Sequence, residues 1–99
     1  MKLNHYGFIV LAPDYQPNQQ QAQLKNEVFH TEIVGVSSVE HAIDEAKKMI
    51  ERGTQLIELC GGFGEDKANQ VINALDTHVP IGYVGFSANE NTKLTRLLE

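Results

Sequence analysis

Residues Leu56–Gly64 read LIELCGGFG, a short apolar run that ends in a cluster of three glycines. An amphipathic segment follows at once. This order predicts a buried strand, a tight loop and the beginning of a helix. Backbone N–H groups at such a junction can hold an anion. The loop is therefore the first place to look for a binding site.

Three other segments have the composition of strands. Residues 5–12 (HYGFIVLA) are rich in β-branched and aromatic side chains. In residues 28–36 (VFHTEIVGV), polar and apolar side chains alternate. Residues 81–86 (IGYVGF) are also apolar, but two glycines weaken the strand pattern. In the second of these, alternation places His30 and Glu32 on one face, which suggests an edge strand or the wall of a site. Residues 19–26 are rich in glutamine and have good helix propensity but almost no apolar face. They predict either a short exposed helix or a mobile loop.

Apolar residues at helical spacing predict two main helices and a shorter third one. The first covers about residues 38–52, with Ser37 as its N-cap, Glu40 completing a capping box and Gly53 just past its end. The second covers about residues 66–76. Asn89 is a candidate cap for the last helix, whose leucines share one side.

The order of these elements from residue 28 onward is strand, helix, strand, helix, strand, helix. It predicts a single α/β domain over residues 1–99, with about four mostly parallel strands and two to three main helices. This βαβαβα core is preceded by an additional N-terminal strand. That strand joins the sheet either parallel or antiparallel, and the parallel arrangement is favoured.

The chain resembles a family of small bacterial α/β proteins of unknown function. The matching pieces are FIVLAP (Phe8–Pro13), IVGV (Ile33–Val36), QLIELCGGFG (Gln55–Gly64) and VPIG (Val79–Gly82). Because that family has no assigned activity, the resemblance implies a fold and an important loop but no mechanism. Glu65 stands where proline often follows the glycine loop, and this extra carboxylate makes phosphate binding less favourable.

Composition excludes several classes of function. The net charge is −5 and no stripe of Lys and Arg is present, which argues against nucleic acid as a partner. Cys60 is the only cysteine, so no intrachain disulfide can form, as in proteins of a reducing cytoplasm. The longest apolar run, Phe8–Pro13, is too short to span a bilayer, so no membrane partner is expected.

The glycine loop has two interpretations. Its glycines permit close approach of a ligand to the backbone at the carboxyl ends of the strands, where ligands of open α/β sheets bind. Alternatively it is only a tight turn, since it matches neither a dinucleotide fingerprint nor a phosphate loop. The candidate ligand-binding residues are Gly61, Gly62, Phe63, Gly64, Asp14 and Ser87.

Glu58 interrupts an apolar strand, where a carboxylate is costly unless it is paired. Facing a pocket, it is a candidate general acid or base, and Cys60 beside the loop is a candidate partner in catalysis. Otherwise Glu58 is the partner of a polar neighbour or lies in a subunit interface, and Cys60 is an inert thiol. Glu58 joins His30 and Glu32 in a metal site only if their strands are neighbours. No metal and no cofactor is predicted.

Three functions remain open. A domain that binds a small molecule or anion through the Gly61–Gly64 loop ranks first, an enzyme that uses Glu58 ranks second, and a structural or regulatory homo-oligomer ranks third. Parallel sheets are usually covered on both faces, whereas this chain has at most three good helices. We therefore also expect self-association, with a homodimer closing an uncovered face or edge of the sheet.

Overall fold

The computed structural model describes residues 2–99 and contains five strands and three α-helices. The strands are β1 (His5–Leu11), β2 (Gln21–Lys25), β3 (His30–Val36), β4 (Leu56–Leu59) and β5 (Ile81–Tyr83). The helices are α1 (Val39–Glu51), α2 (Gly64–Leu75) and α3 (Ala88–Leu98), and a 3₁₀ turn, Gly61–Phe63, precedes α2.

The strands form one mixed sheet in the order β2-β3-β1-β4-β5. Strands β3, β1, β4 and β5 are parallel, and β2 pairs antiparallel with β3. The predicted α/β class and the parallel placement of the first strand are both confirmed. The carboxyl ends of four strands therefore meet at one edge of the sheet, which is the edge where the glycine loop lies.

The segment at residues 19–26 is a strand in the structure, and both the helix and the loop interpretations of it are wrong. All five residues of β2 are exposed, so no burial pattern marks it in the sequence. Its backbone pairs along β3, and the Asn26 side chain accepts from the N–H groups of Val28 and Phe29 to close the hairpin. Because β2 occupies the edge, β3 is an inner strand and not the edge strand that its polar face suggested.

Helix α1 begins at Val39, one residue later than predicted. Ser38, and not Ser37, is the N-cap, and its hydroxyl accepts from the N–H of His41 at 3.1 Å. The predicted end holds, since Gly53 follows the helix with a φ of 99°, a conformation that favours glycine.

The core lies on one face of the sheet, which we call the covered face. Helices α1 and α2 bury small side chains against it, and the largest fully buried residues include Ile9, Ile57 and Leu59 from the strands and Met49 from α1. Gly7 permits this close approach, because a Cβ there would lie 2.7 Å from the Met49 sulfur. The fully buried apolar side chains of the strands all lie on the covered face.

The opposite face, which we call the open face, has no helix on it. Strand register places the following half-buried residues there: Tyr6, Phe8, Val10, Thr31, Ile33, Leu56 and Glu58. The loop after β1 covers one corner of this face, where Tyr15 and Gln20 pack over Gly35. The sheet is thus layered with helices on one side only, whereas parallel sheets are usually covered on both.

Candidate functional site

The glycine loop joins β4 to α2 through the 3₁₀ turn. Cys60 extends the sheet by donating its N–H to the Ile9 carbonyl at 3.0 Å, and the Phe63 N–H closes the turn on the Cys60 carbonyl at 3.1 Å. Gly64 has a φ of 66°, which an L side chain rarely adopts. A Cβ at Gly62 would lie 3.1 Å from the Leu11 carbonyl oxygen. The backbone conformation of the chain therefore requires glycine at position 64, and the close Leu11 carbonyl disfavours a side chain at position 62.

A cleft of about 570 Å³ lies between this loop, the end of β5 and α3. Gly61, Gly62 and Gly64 form its floor. The other lining residues are Glu65, Tyr83, Val84, Gly85, Phe86, Asn91, Leu94 and Leu98. Its position at the carboxyl edge of the parallel strands is the usual ligand position in open α/β sheets.

The cleft has apolar walls, and no cationic side chain lines it. The Gly61 and Gly62 N–H groups begin the 3₁₀ turn, and the hydrogen bonds among residues 2–99 give neither of them a backbone acceptor. Glu65 is the one acidic side chain at the cleft, and none of its lining residues is Lys, Arg or His. This arrangement suits an uncharged ligand with a hydrogen-bond acceptor better than it suits an anion.

Three of the predicted ligand-binding residues lie away from the cleft lining. Phe63 is 3% exposed and belongs to the core beneath the loop. Asp14 occupies a turn after β1 with a φ of 62°. Ser87 is the N-cap residue of α3, but its side chain makes no capping hydrogen bond. Tyr83 and Phe86 line the cleft, so the apolar wall comes from β5 and the segment after it.

Glu58 lies on the open face and is separate from the cleft. The Tyr6 hydroxyl donates to its Oε1 at 2.5 Å. Burial, together with this hydrogen bond and the carboxylate charge, raises the pKa of Tyr6 from 10.0 to about 12. The carboxylate that interrupts the apolar strand thus has a polar partner, 52 residues away in the chain.

Cys60 joins β4 to the glycine loop and lies beside the end of β1. The Leu11 N–H donates to its sulfur at 3.2 Å. Alternation places Cys60 on the same face as Glu58, as the sequence indicates. The half-buried thiol contacts the end of β1, and it is not among the residues that line the cleft.

The phenol of Tyr6 gives a measurable pH dependence. Because its pKa is raised on folding, the stabilising contribution is complete below pH 10 and is lost as the pH rises from 10 to about 12. In a spectrophotometric titration, we expect the Glu58→Gln variant to ionise Tyr6 at a lower pH than the parent, and Tyr6→Phe to lack that transition. An unchanged Tyr6 transition in Glu58→Gln would show that the carboxylate does not perturb it.

Sequence reasoning missed a second polar cluster, at the opposite edge of the sheet and under α1. Glu32, 7% exposed, accepts from Arg52 at 2.7 Å and from the Thr54 hydroxyl at 3.1 Å, and its other contact is His5 at 2.7 Å. The His5 ring stacks on that of His30 with centroids 4.5 Å apart. Glu32 in a strand was the available signal, but Arg52 and Thr54 are brought to it only by the packing of α1.

The Glu32 cluster is a saturated ionic network. Burial alone raises the pKa of Glu32, but the hydrogen bonds from Arg52, His5 and Thr54 outweigh it, and the pKa is held below its ordinary value of 4.5. Both carboxylate oxygens of Glu32 accept a hydrogen bond, so we interpret the cluster as structural.

No metal centre and no membrane span emerges from the described part of the chain. Glu58 and Glu32 cannot share a metal, because β1 lies between their strands and register places them on opposite faces. Within residues 2–99 no group of three His, Cys, Asp or Glu side chains is arranged to hold a metal ion. None of the helices in that range is long and apolar enough to cross a bilayer.

Comparison with known proteins identifies a family but no individual relative. No curated protein and no solved structure matches the chain. The profile of a family of unknown function, DUF6506, matches residues 4–99. The resemblance to a family of unknown function is therefore confirmed, and the chain belongs to DUF6506.

Proposed function

We propose that the protein binds a small, uncharged molecule in the cleft between the glycine loop and α3. The observation that carries this proposal is the cleft itself: about 570 Å³, apolar walls, and the amides of Gly61 and Gly62 at its floor. Ligand sites of this kind are largely apolar, with a few polar groups that fix orientation. Tyr83, Phe86 and Leu94 supply the walls for a flat apolar body.

The charge of the site separates this proposal from anion binding. An anion at the loop would face Glu65 with no cation to offset the repulsion. The first turn of α2 also contains Asp66, so the positive end of the helix dipole already has two carboxylates beside it. A neutral ligand whose carbonyl accepts from Gly61 or Gly62 avoids this repulsion.

Benzamide and benzoate test the proposal, because they share shape and differ in charge. In a titration followed by amide NMR shifts, we expect benzamide to move the signals of Gly61, Gly62 and Gly85, and benzoate to bind at least about fivefold more weakly. That ratio corresponds to about 1 kcal/mol, which is modest for an exposed carboxylate repulsion. Shifts that avoid the loop, or equal affinity for both compounds, would contradict the proposal.

A pair of glycine variants localises the binding. A Cβ at Gly61 meets only ordinary contacts, at 3.7 Å from the Val84 oxygen and 3.9 Å from Phe86, so Gly61→Val should fold and fill the cleft. A Cβ at Gly82, on the open face of β5, meets nothing within 4 Å. We expect Gly61→Val to abolish the benzamide shifts and the matched Gly82→Val to retain them.

An enzyme that uses Glu58 remains the second candidate, supported by the Tyr6–Glu58 pair. A phenol and a carboxylate in a short hydrogen bond can exchange a proton with a bound substrate. The pair lies on the open face, so this activity requires a substrate there and not in the cleft. A Glu58→Gln variant that loses catalytic activity but still binds benzamide would show that the activity uses Glu58 and is separate from binding in the cleft.

A further inference from the structure

Two apolar surfaces are only partly covered by the rest of residues 2–99. One is the open face of the sheet, with half-buried Phe8, Val10 and Ile33 near its centre. The other is the segment 84–98, which we call the arm: it contains α3, and α3 buries none of its residues. On the arm, Val84, Phe86, Leu97 and Leu98 are 41%, 52%, 78% and 75% exposed.

We propose that a second copy of the chain covers both surfaces, with the arm of each copy packed on the open face of the other. In a two-fold dimer, the arm of each copy contacts the sheet of the other copy. Both pairs of surfaces are then buried, and the assembly ends at two chains. The occupant of the open face is thus the arm of a second copy. The missing helix layer of the sheet is then supplied by α3 of the partner.

The area of the sheet favours this arrangement over simple stacking of two open faces. With strands about 4.8 Å apart and a rise of about 3.3 Å per residue, the five short strands present about 400 Å² on one face. A stable interface takes about 800 Å² from each partner. The open face alone supplies about half, so a stable dimer must also bury the exposed side chains of the arm.

The charges on the two surfaces are complementary. Glu58 is the one ionic side chain that strand register places on the open face, and Tyr6 satisfies only one of its oxygens. A carboxylate that becomes buried requires a cation or further donors. Lys93 lies one turn before Leu97 on the arm, and its present pairing with Glu90 is exposed and easily exchanged. The partner's arm can therefore bring an ammonium group to Glu58.

The assembly does not require the proposed ligand, although Val84, Phe86 and Leu98 of the arm also line the cleft. Leu97 does not line it, so α3 can contact the glycine loop on one side and a partner on another. Benzamide binding and self-association are separate measurements. Either can fail while the other succeeds.

Sedimentation and light scattering test the assembly. We expect the parent to have twice its chain mass of 11.0 kDa at micromolar concentration. Leu97→Glu should weaken dimerisation at least about tenfold, while Ala74→Glu should not. Ala74 is the control because it is exposed on α2, which packs on the covered face and is not part of the proposed interface. A parent that is monomeric at millimolar concentration, or a dimer that Leu97→Glu leaves unchanged, would overturn the proposal.

Disulfide trapping distinguishes a partner's arm from an arm that folds back on its own sheet. In a Cys60→Ser background, we would mix the single variants Leu97→Cys and Thr31→Cys and oxidise them. If the arm of one copy packs on the sheet of another, oxidation should give a covalent heterodimer of the two variants. Failure to form it, with efficient internal cross-linking of the double variant in monomers, would show that the arm covers its own sheet and would refute the dimer.

Discussion

Replacement of Glu32 by alanine is expected to lower the free energy of unfolding by about 3 kcal/mol. The carboxylate is 7% exposed and its two oxygens contact Arg52, His5 and Thr54. Its removal leaves the Arg52 guanidinium without its carboxylate, leaves the Thr54 hydroxyl and the His5 ring only their long 3.4 Å contact with each other, and creates a cavity beneath α1. The value lies at the lower end of the range for buried pairs because the Arg52 side chain is 51% exposed.

Glu90→Ala is the control for this variant. Glu90 also forms an ion pair, with Lys93, but both side chains are more than half exposed. Exposed pairs of this kind contribute less than about 0.5 kcal/mol, so denaturant unfolding should barely distinguish Glu90→Ala from the parent. Equal effects of the two variants would show that the Glu32 cluster is not a buried network.

The stabilising contribution of Glu32 also depends on pH, and the Glu32→Ala variant measures this dependence. The pKa of Glu32 is below its ordinary value of 4.5 in the folded protein. Its stabilising contribution is therefore complete above pH 4.5 and is lost as the pH falls through the folded pKa. The difference between the parent and Glu32→Ala should shrink as the pH is lowered below 4.5. A difference that stays constant would contradict this account of the cluster.

The second large effect is expected at Ile9. This side chain is 0% exposed on the covered face, where it packs beneath the helices. Truncation to alanine removes three carbons and leaves a cavity, so Ile9→Ala should cost about 3 kcal/mol at any protein concentration. Chemical denaturation at two protein concentrations measures it.

Ile33 provides a comparison with the same chemical change on the opposite face. Its side chain is half-buried on the open face, beside Phe8 in the register of β1 and β3. In dilute protein, Ile33→Ala should cost clearly less than Ile9→Ala. If a second copy covers this face, the cost of Ile33→Ala should grow with protein concentration, because dimerisation stabilises the folded state by mass action. A cost that is large and independent of concentration would show that the face is covered within one chain.

Most of the elements follow from sequence patterns, and the exception has a physical cause. Periodicity of 3.6 and of 2 predicts the helices and the strands that face the core, because burial imposes it. Strand β2 carries no such signal, since all of its side chains are exposed and its residues favour helix. It is a strand because β3 offers unpaired backbone groups, a tertiary effect that overrides local propensity.

Only part of the candidate site could be predicted from the sequence. The glycine loop could be predicted because a strand followed by glycines and a helix is a local pattern. Part of the opposing wall could also be predicted, since Tyr83 and Phe86 belong to the strand predicted at residues 81–86, whereas Leu94 reaches the cleft only through the placement of α3. Alternation places Glu58 and Leu56 on one face, but it cannot say which face the helices cover, nor that Tyr6 is the partner of Glu58.

The most direct test of ligand binding is a crystal structure of protein purified from its cells without added ligand, inspected at the cleft. The account predicts electron density for a neutral molecule against the glycine loop, with an acceptor atom on the N–H of Gly61 or Gly62 and an apolar body between Tyr83 and Phe86. A cleft closed by the side chains of α3, with both amides bonded within the protein, would contradict it.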